Sequence, residues 1–461
     1  MAVSDIGLAR KQRVFAILED VVGTMKFPVA SSIIRPAGNA VINQNPEFSD
    51  SEELQDTLDT LDRFQNAMPA GEWTIPMYVR PLGSFATLTA PQGDALFTSL
   101  QGLKYNASTH ASLASNLTAG KATVRYRKLH DGTLPSKGVM LCGTEYMFYE
   151  TLTATNSTQG VLTVVTRGYS GAAATHATGV EISLRSVYYK QASTSPSVSI
   201  WIETDHFVQG LSGATVGSLK LSVTNEGAVK AEFSGKGMQM VWAGSSSMVS
   251  TKTTTATQIH VLDAKIFSAG SRIYNYSTNV TNGGIGWTVV ASNATTGVLR
   301  LSAAIGSTWS TNNVIRGFLP GATVLGEPIE SRNTAIKINN IAATFKSGEL
   351  TINSPKNYLT DEVGTTYPQS YLEDKREITS SMGIYFRKAD ARYFAEGYSS
   401  GNEVPVQLTF GNVAAHKFMV YMKKCKLEVP KVEMAVPAVE LTIPLKALGT
   451  LGEDSCELSF I

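Results

Sequence analysis

One order of local signals occurs twice in this chain, and that repeat limits the fold more than any other feature. Ala40–Pro46 (AVINQNP) and Leu350–Pro355 (LTINSP) both read as strands that end in Ile-Asn and a turn bearing proline. Glu72–Arg80 (EWTIPMYVR) and Glu377–Arg387 (EITSSMGIYFR) follow, each with a methionine, an aromatic residue and a closing arginine. A short helical segment comes next in each copy, Gly93–Leu100 and Lys388–Glu396. Paired strands then close the pattern: Val198–Glu203 with Gly217–Val223, and Val406–Phe410 with Lys424–Val429. A last strand ends each copy, Val229–Ser234 and Val439–Leu445. Identity between the copies is low; the order of elements carries the argument.

Composition agrees with sheets joined by turns. The 461 residues suffice for two to four domains, and 43 % are hydrophobic, enough for an extensive core. Charged residues make up 17 %, against roughly 25 % in an average globular protein. Strand segments such as Trp73–Arg80, Val198–Glu203 and Phe418–Met422 are rich in β-branched and aromatic residues and bounded by Gly, Pro, Asn or Ser. Two polar stretches, 103–194 and 249–330, separate the repeat's pieces and share Gly160–Thr163 then Arg167-Gly168-Tyr169 against Gly297–Arg300 then Arg316-Gly317-Phe318. Each reads as a small accessory β-domain or a set of long hairpins; two long loops are the plainer alternative. The expected division is 1–102 with 195–248, 103–194, 249–330 and 331–461.

Helices are few. Ser51–Gln65 shows Leu54, Leu58, Leu61 and Phe64 at helical spacing, with Glu53, Asp56, Asp59 and Asp62 opposite. That acidic face is either solvated or turned toward a neighbour or a lumen. Lys11 and Arg13 followed by Val14, Phe15, Ile17, Leu18, Val21 and Val22 could pass for a signal peptide, but Glu19 and Asp20 interrupt the run. A short amphipathic helix is the expectation there. No apolar run approaches the length of a membrane-spanning helix.

Chemistry is hard to place. The residues His110, His130, His176, His206, His260 and His416 form neither HExxH nor a close pair. His130-Asp131 and Asp205-His206 are adjacent, so in a strand they point to opposite faces. Gly168-Tyr169-Ser170-Gly171 is one residue short of a nucleophile elbow, and Gly235-Lys236-Gly237 lacks phosphate-loop spacing. Cys142, Cys425 and Cys456 fit isolated reduced thiols. Trp201, Tyr385, Phe386 and Tyr421 read as core residues, not base-stacking platforms. No catalytic residue, cofactor site or metal site is assigned. A formal net charge of +1 leaves no basic excess for wrapping nucleic acid.

Ser197–Val241 (SVSIWIETDHFVQGLSGATVGSLKLSVTNEGAVKAEFSGKGMQMV) resembles the phage tail tube protein family, in a strand, an acidic connection, a second long strand, a Gly turn at Glu226-Gly227 and an outgoing strand. Val404–Gly449 repeats that logic, and Arg35–Arg80 resembles siphophage tail proteins. About half the chain is covered, by a fold-level pattern without an invariant motif. The resemblance implies a mainly β fold: two tail-tube-like β-sandwich units, each with a short flanking helix, that close into a barrel ring, plus accessory β-rich insertions. It implies a virion structural protein, made in the bacterial cytoplasm, that stacks as rings into a siphophage's non-contractile tail tube. Expected partners are further copies of itself, a tape-measure protein in the lumen, terminator and tail-tip proteins, and DNA in transit without specific binding or a membrane. Members usually carry one unit and form hexamers; two units per chain imply a homotrimeric, pseudo-hexameric ring. A mobile element that orders on stacking is expected at Glu47–Asp62 or Asp361–Arg376. The alternatives are a terminator, a fibre, a glycan-binding module, or an enzyme such as a glycan hydrolase.

Overall fold

A computed structural model describes residues 11–460 apart from 54–58, 60–61, 83–88, 107–110, 130–133, 135, 144, 169–172, 184–186, 225, 324–325, 340, 399–402, 413–415, 435–437 and 450–451. Among the described residues, nineteen strands join in one network of sheets. The same antiparallel strand order occurs in it twice. The first set runs Val41–Asn43, Gly71–Tyr78, Lys230–Gly237, Phe207–Thr224, Val198–Thr204, Gln12–Leu18, Ile33–Ile34. The second runs Ser347–Asn353, Glu377–Tyr385, Val439–Ala447, Phe418–Leu427, Glu403–Phe410, Thr334–Ile338, Ile341–Ala343. Registers match as well: Ile42 lies opposite Trp73 and Asn43 opposite Glu72, as Ile352 lies opposite Ile378 and Asn353 opposite Glu377. A helix follows the second strand of each set along the chain, α1 (Asp94–Gln101) and α2 (Arg392–Tyr398).

Burial explains the residue choices. Buried and less buried positions alternate along Glu377–Tyr385 and Val439–Ala447, so these strands keep one wet face. Val198–Ile202 is buried throughout, because the strand is covered on both faces. Gln12–Leu18 is likewise a strand and not the expected helix. Its Val14, Phe15 and Ala16 are buried in succession, and its continuous apolar run comes from packing on two sides.

α1 holds the two sets together. Its Phe97 is fully buried and packs on Phe233 of the first set (5.1 Å) and on Phe418 of the second (5.8 Å). Phe460 (5.3 Å) and Tyr189 (5.5 Å) complete the cluster. Burying one such ring contributes about 1.5–3 kcal/mol. Phe460 belongs to Glu457–Phe460, which pairs with Phe418–Tyr421 and with Val187–Tyr189. Val187–Gln191 in turn pairs with Gly102–Asn106, so the two ends of the first accessory segment lie side by side in the main sheet.

Among the described residues each accessory segment is built on a module of six strands, the second of which takes in Ser245–Ser247 ahead of 249, and the two modules share one pairing pattern. The first comprises Ala111–Leu113, Thr123–Lys128, Gly138–Cys142, Glu145–Ala154, Gln159–Thr166 and Glu181–Ser183 and is a closed barrel. The second comprises Ser245–Ser247, Gln258–His260, Arg272–Asn275, Trp287–Asn293, Val298–Leu301 and Val314–Gly317. In each, the third strand pairs with the fourth and sixth, the fifth with the fourth and second, and the sixth with the first. The first and second strands form a ladder in the barrel, whereas one bridge, Met248 to Val261, joins those edges in the second segment. The Gly-Val-Leu echo falls on equivalent fifth strands. The Arg-Gly echo does not: Arg167 follows the fifth strand and Arg316 lies in the sixth. The closed barrel is filled by Val124, Tyr126, Met140, Met147, Tyr149 and Leu162, so its interior is a packed core and not a channel.

Candidate assembly interface

The two repeated sets meet at a junction within the chain. Ser218–Thr224, the outer part of the long strand Phe207–Thr224, pairs antiparallel with Ser347–Asn353. Leu219 and Leu221 face Ile352 and Leu350 on the buried side. On the wet side Lys220 meets Glu349 at 3.0 Å, and Ser218 donates to Asn353 at 2.8 Å. The loop after Asn353 then folds into a small hairpin, Lys356–Tyr358 with Tyr371–Glu373, that clamps onto the first set. The Tyr358 hydroxyl reaches the carbonyls of Gly213 (2.7 Å) and Lys236 (2.9 Å), and the Tyr371 hydroxyl donates to Ser195 O at 2.7 Å. Ser195 N donates to Glu373, whose other oxygen meets the buried Lys356 ammonium at 3.1 Å. Burial pushes the Tyr371 hydroxyl up to about 12, with Glu373 adding to the shift, so it stays a donor at neutral pH.

The counterparts at the far ends are open. Val41–Asn43 pairs with Gly71–Tyr78 on one side, and no described strand lies on its other side. Lys431–Met434 pairs only with Val439–Thr442 among the described strands; Val432 and Met434 are 46 % and 82 % exposed. The loop after Asn43 also folds into a hairpin, Phe48–Asp50 with Arg63–Gln65. Here every strand residue is exposed, including Phe48 and Phe64. Its root is pinned by buried Gln44, which donates to Pro69 O and Met238 O and accepts from Met240 N. The expected helix Ser51–Gln65 is thus corrected at its end, where Arg63–Gln65 is a strand; residues 54–58, 60 and 61 lie outside the described residues. Met68 N, beyond the end of segment 47–62, donates to Thr366 O in segment 361–376 at 2.8 Å.

Residues singled out for chemistry are scattered. His110, His130 and Tyr169–Gly171 lie outside the described residues. His176 is buried against Glu145 (2.8 Å), His206 stands 3.6 Å from Asp205, and His260 lies in a strand. Burial lowers the pKa of His416. Gly235-Lys236-Gly237 is part of a strand. The three cysteines are buried and unbonded to one another, and burial raises Cys142 to about 11 and Cys425 to about 12. Trp201 and Tyr421 are core, but Tyr385 and Phe386 are 46 % and 42 % exposed, contrary to expectation. Among the described residues no group of three or more His, Cys, Asp or Glu could hold a metal ion. No described helix is long and apolar enough to cross a membrane.

Sequence reading missed one built constellation, since nothing in local spacing links its members. Glu145 is buried and accepts from Arg167 (2.8 and 2.9 Å), Gly168 N (2.8 Å), Ala174 N (3.0 Å) and His176 (2.8 Å). Burial alone would raise its pKa. The Arg167 bonds, the two backbone donors and His176 outweigh that and hold the carboxyl at about 2. Every lone pair faces a donor and no reactive atom is left open, so the group acts as a latch that ties Arg167 and Gly168 to Ala174 and His176.

The arrangement is therefore one of sheet edges and docking hairpins. No curated protein sequence matches the chain. The family model described as phage tail tube protein matches residues 9–286, more than half of the sequence. With its mainly β architecture, the chain belongs to the phage tail tube protein family.

Proposed function

We propose that this protein is the repeating subunit of a siphophage's non-contractile tail tube and carries two tube units, residues 1–102 with 195–248 and residues 331–461. Three chains then form each pseudo-six-fold ring, and stacked rings form the channel through which DNA is ejected. The observation that carries this reading is the doubled strand order, with Asn43 opposite Glu72 and Asn353 opposite Glu377. The net charge of +1 suits a conduit that DNA crosses without adhering. The tape-measure protein would occupy the lumen during assembly, and terminator and tip proteins would meet the tube's ends. The accessory segments 103–194 and 249–330 would decorate the outside.

Electron microscopy of the purified protein at high concentration, averaged down the fibre axis, tests this. Hollow fibres with three chains per ring and a six-lobed outline are expected. Six chains per ring would keep the tube and discard the two-unit reading. Monomers that never polymerise, even with tail-tip nucleators, would discard both.

A further inference from the structure

The in-chain junction is a template for one between chains. Shared pairings set the correspondence: Trp73 opposite Gly235 matches Ile378 opposite Ala447. Following Gly235 and Ala447 along their strands places Lys426 where the first set has Ser218, and Leu427 where it has Leu219. Glu428 follows in the place of Lys220; its N–H bonds to Pro444 O, as the strand order requires. On the other side, Ile42 and Val41 stand where the second set has Ile352 and Thr351.

We infer that Val41–Asn43 of one chain pairs antiparallel with the edge beginning at Leu427 of a second copy, Ile42 opposite Leu427 and Val41 opposite Glu428, and that the Phe48–Asp50/Arg63–Gln65 arm docks on that copy's second repeated set. This rests on the tube reading and specifies its ring contact. Pairing starts at Leu427 because Glu403 already lies opposite Lys426 within the chain.

Burial and exposure at the two edges fit this register. The faces agree: Ile42 and Leu427 are buried, Val41 and Glu428 exposed, so one register satisfies both sides. Both unmatched parts expose apolar side chains, Phe48 and Phe64 on the arm and Val429, Val432 and Met434 along the edge. The arm region carries Glu47, Asp50, Glu52, Glu53 and Asp62 against Arg63, and its proposed seat offers Lys423, Lys424, Lys426, Lys431 and Lys446 interspersed with Glu377, Glu403, Glu428, Glu433 and Glu440, so pairing with the arm is local and not a match of net charge. Of these, Lys424 and Lys446 also meet Glu403 and Glu377 of their own chain. The corresponding hairpin in the second set shows the docked state, held by Tyr358 and Tyr371.

The test is a Val41→Cys/Glu428→Cys double variant, assembled into fibres, oxidised, and run on a denaturing gel without reductant. Directly opposed strand residues lie within disulfide reach, and the native thiols are buried. Covalent dimers and trimers are expected, with nothing larger and no such bands from either single variant. Bands beyond the trimer would keep the junction and overturn the three-chain ring. Fibres at wild-type yield without a bond would overturn the junction and leave the tube standing. Absence of fibres from the wild-type protein would overturn the tube reading, and the junction with it. If the double variant does not assemble, a Phe48→Asp/Phe64→Asp arm variant decides. Fibre yield should fall at least tenfold with the subunit's melting temperature unchanged, and unchanged yield would overturn arm docking.

Discussion

The two accessory segments have the same strand pairing and are held by different means. The first has a closed core of its own: its barrel closes by ladders around Tyr126, Met140, Met147 and Tyr149, and it meets the main sheet through a separate, smaller cluster in which Val139, Tyr146 and Phe148 pack on Tyr188, Met419 and Tyr421. The second closes by one bridge, and its core runs on into the main sheet, with Trp287, Trp309, Ile259 and Leu299 in one cluster with Phe15, Trp201 and Val208. Trp287 and Trp309 meet edge to face at 5.0 Å, and Trp287 donates to Ala304 O. The lesson is that pairing order fixes a topology while the cost of removing the module depends on whose core it completes.

Deletion should break the comparison most visibly. Replacing 107–186 by a two-residue turn should leave a folded chain, because Asn106 and Val187 are already paired neighbours and the loss of cover is confined to the small patch of Tyr188, Met419 and Tyr421, outside the main core cluster. Replacing 249–313 should strip cover from Phe15 and Trp201, now 0 % and 1 % exposed, at about 1.5–3 kcal/mol for each ring. The expected outcome is a soluble first variant with a cooperative melt and an aggregating second. Equal behaviour would show that the cores do not differ in this way.

Acid should separate the modules next. Glu145 is held at about 2, against an ordinary 4.5, so its contribution is complete above 4.5 and is lost as pH falls toward 2. The barrel should therefore lose hydrogen-exchange protection ahead of the second module between pH 4.5 and 2. Glu145→Gln leaves the Arg167 charge, 9 % exposed, without its counterion and should cost about 3–5 kcal/mol at neutral pH. Protection in the barrel that is indifferent to both would remove the latch.

The smallest expected effect sits at the shared Gly-Val-Leu. Gly297 has φ of +68°, and a Cβ there would lie 2.7 Å from Val261 O, so Gly297→Ala should destabilise the second module by about 1–3 kcal/mol. A Cβ at Gly160 would meet Thr153 O and the Tyr126 hydroxyl at 2.5 Å, a clash of contact and not of backbone conformation. Thermal melts of both alanine variants, with Tyr126→Phe added to the Gly160 variant, sharpen the contrast: only the latter should recover part of the loss.

Much of the scaffold was legible in the residues. Val198–Glu203, Val229–Ser234 and Val439–Leu445 carry β-branched residues between turns, and they are strands in the repeated order expected. Gln12–Leu18 was not, because a strand covered on both faces loses the alternation that marks it. Thr334–Ile338, its counterpart in pairing, has no flanking motif that marks it as a strand. The interface was the least legible part. Whether Val41 or Thr351 has a neighbour depends on pairings hundreds of residues apart, and local pattern carries no record of those. The Glu145 latch is hidden for the same reason: its donors lie 22 to 31 residues downstream.

Joining Ser218–Thr224 to Ser347–Asn353 inside one polypeptide changes the thermodynamics of that contact. Two separate molecules meeting there would give up translational and rotational freedom, at a cost of about 4–15 kcal/mol. A tethered pair meets at an effective concentration set by the intervening chain, independent of how much protein is present. Dilution that would dissolve a contact between separate molecules therefore leaves this one intact.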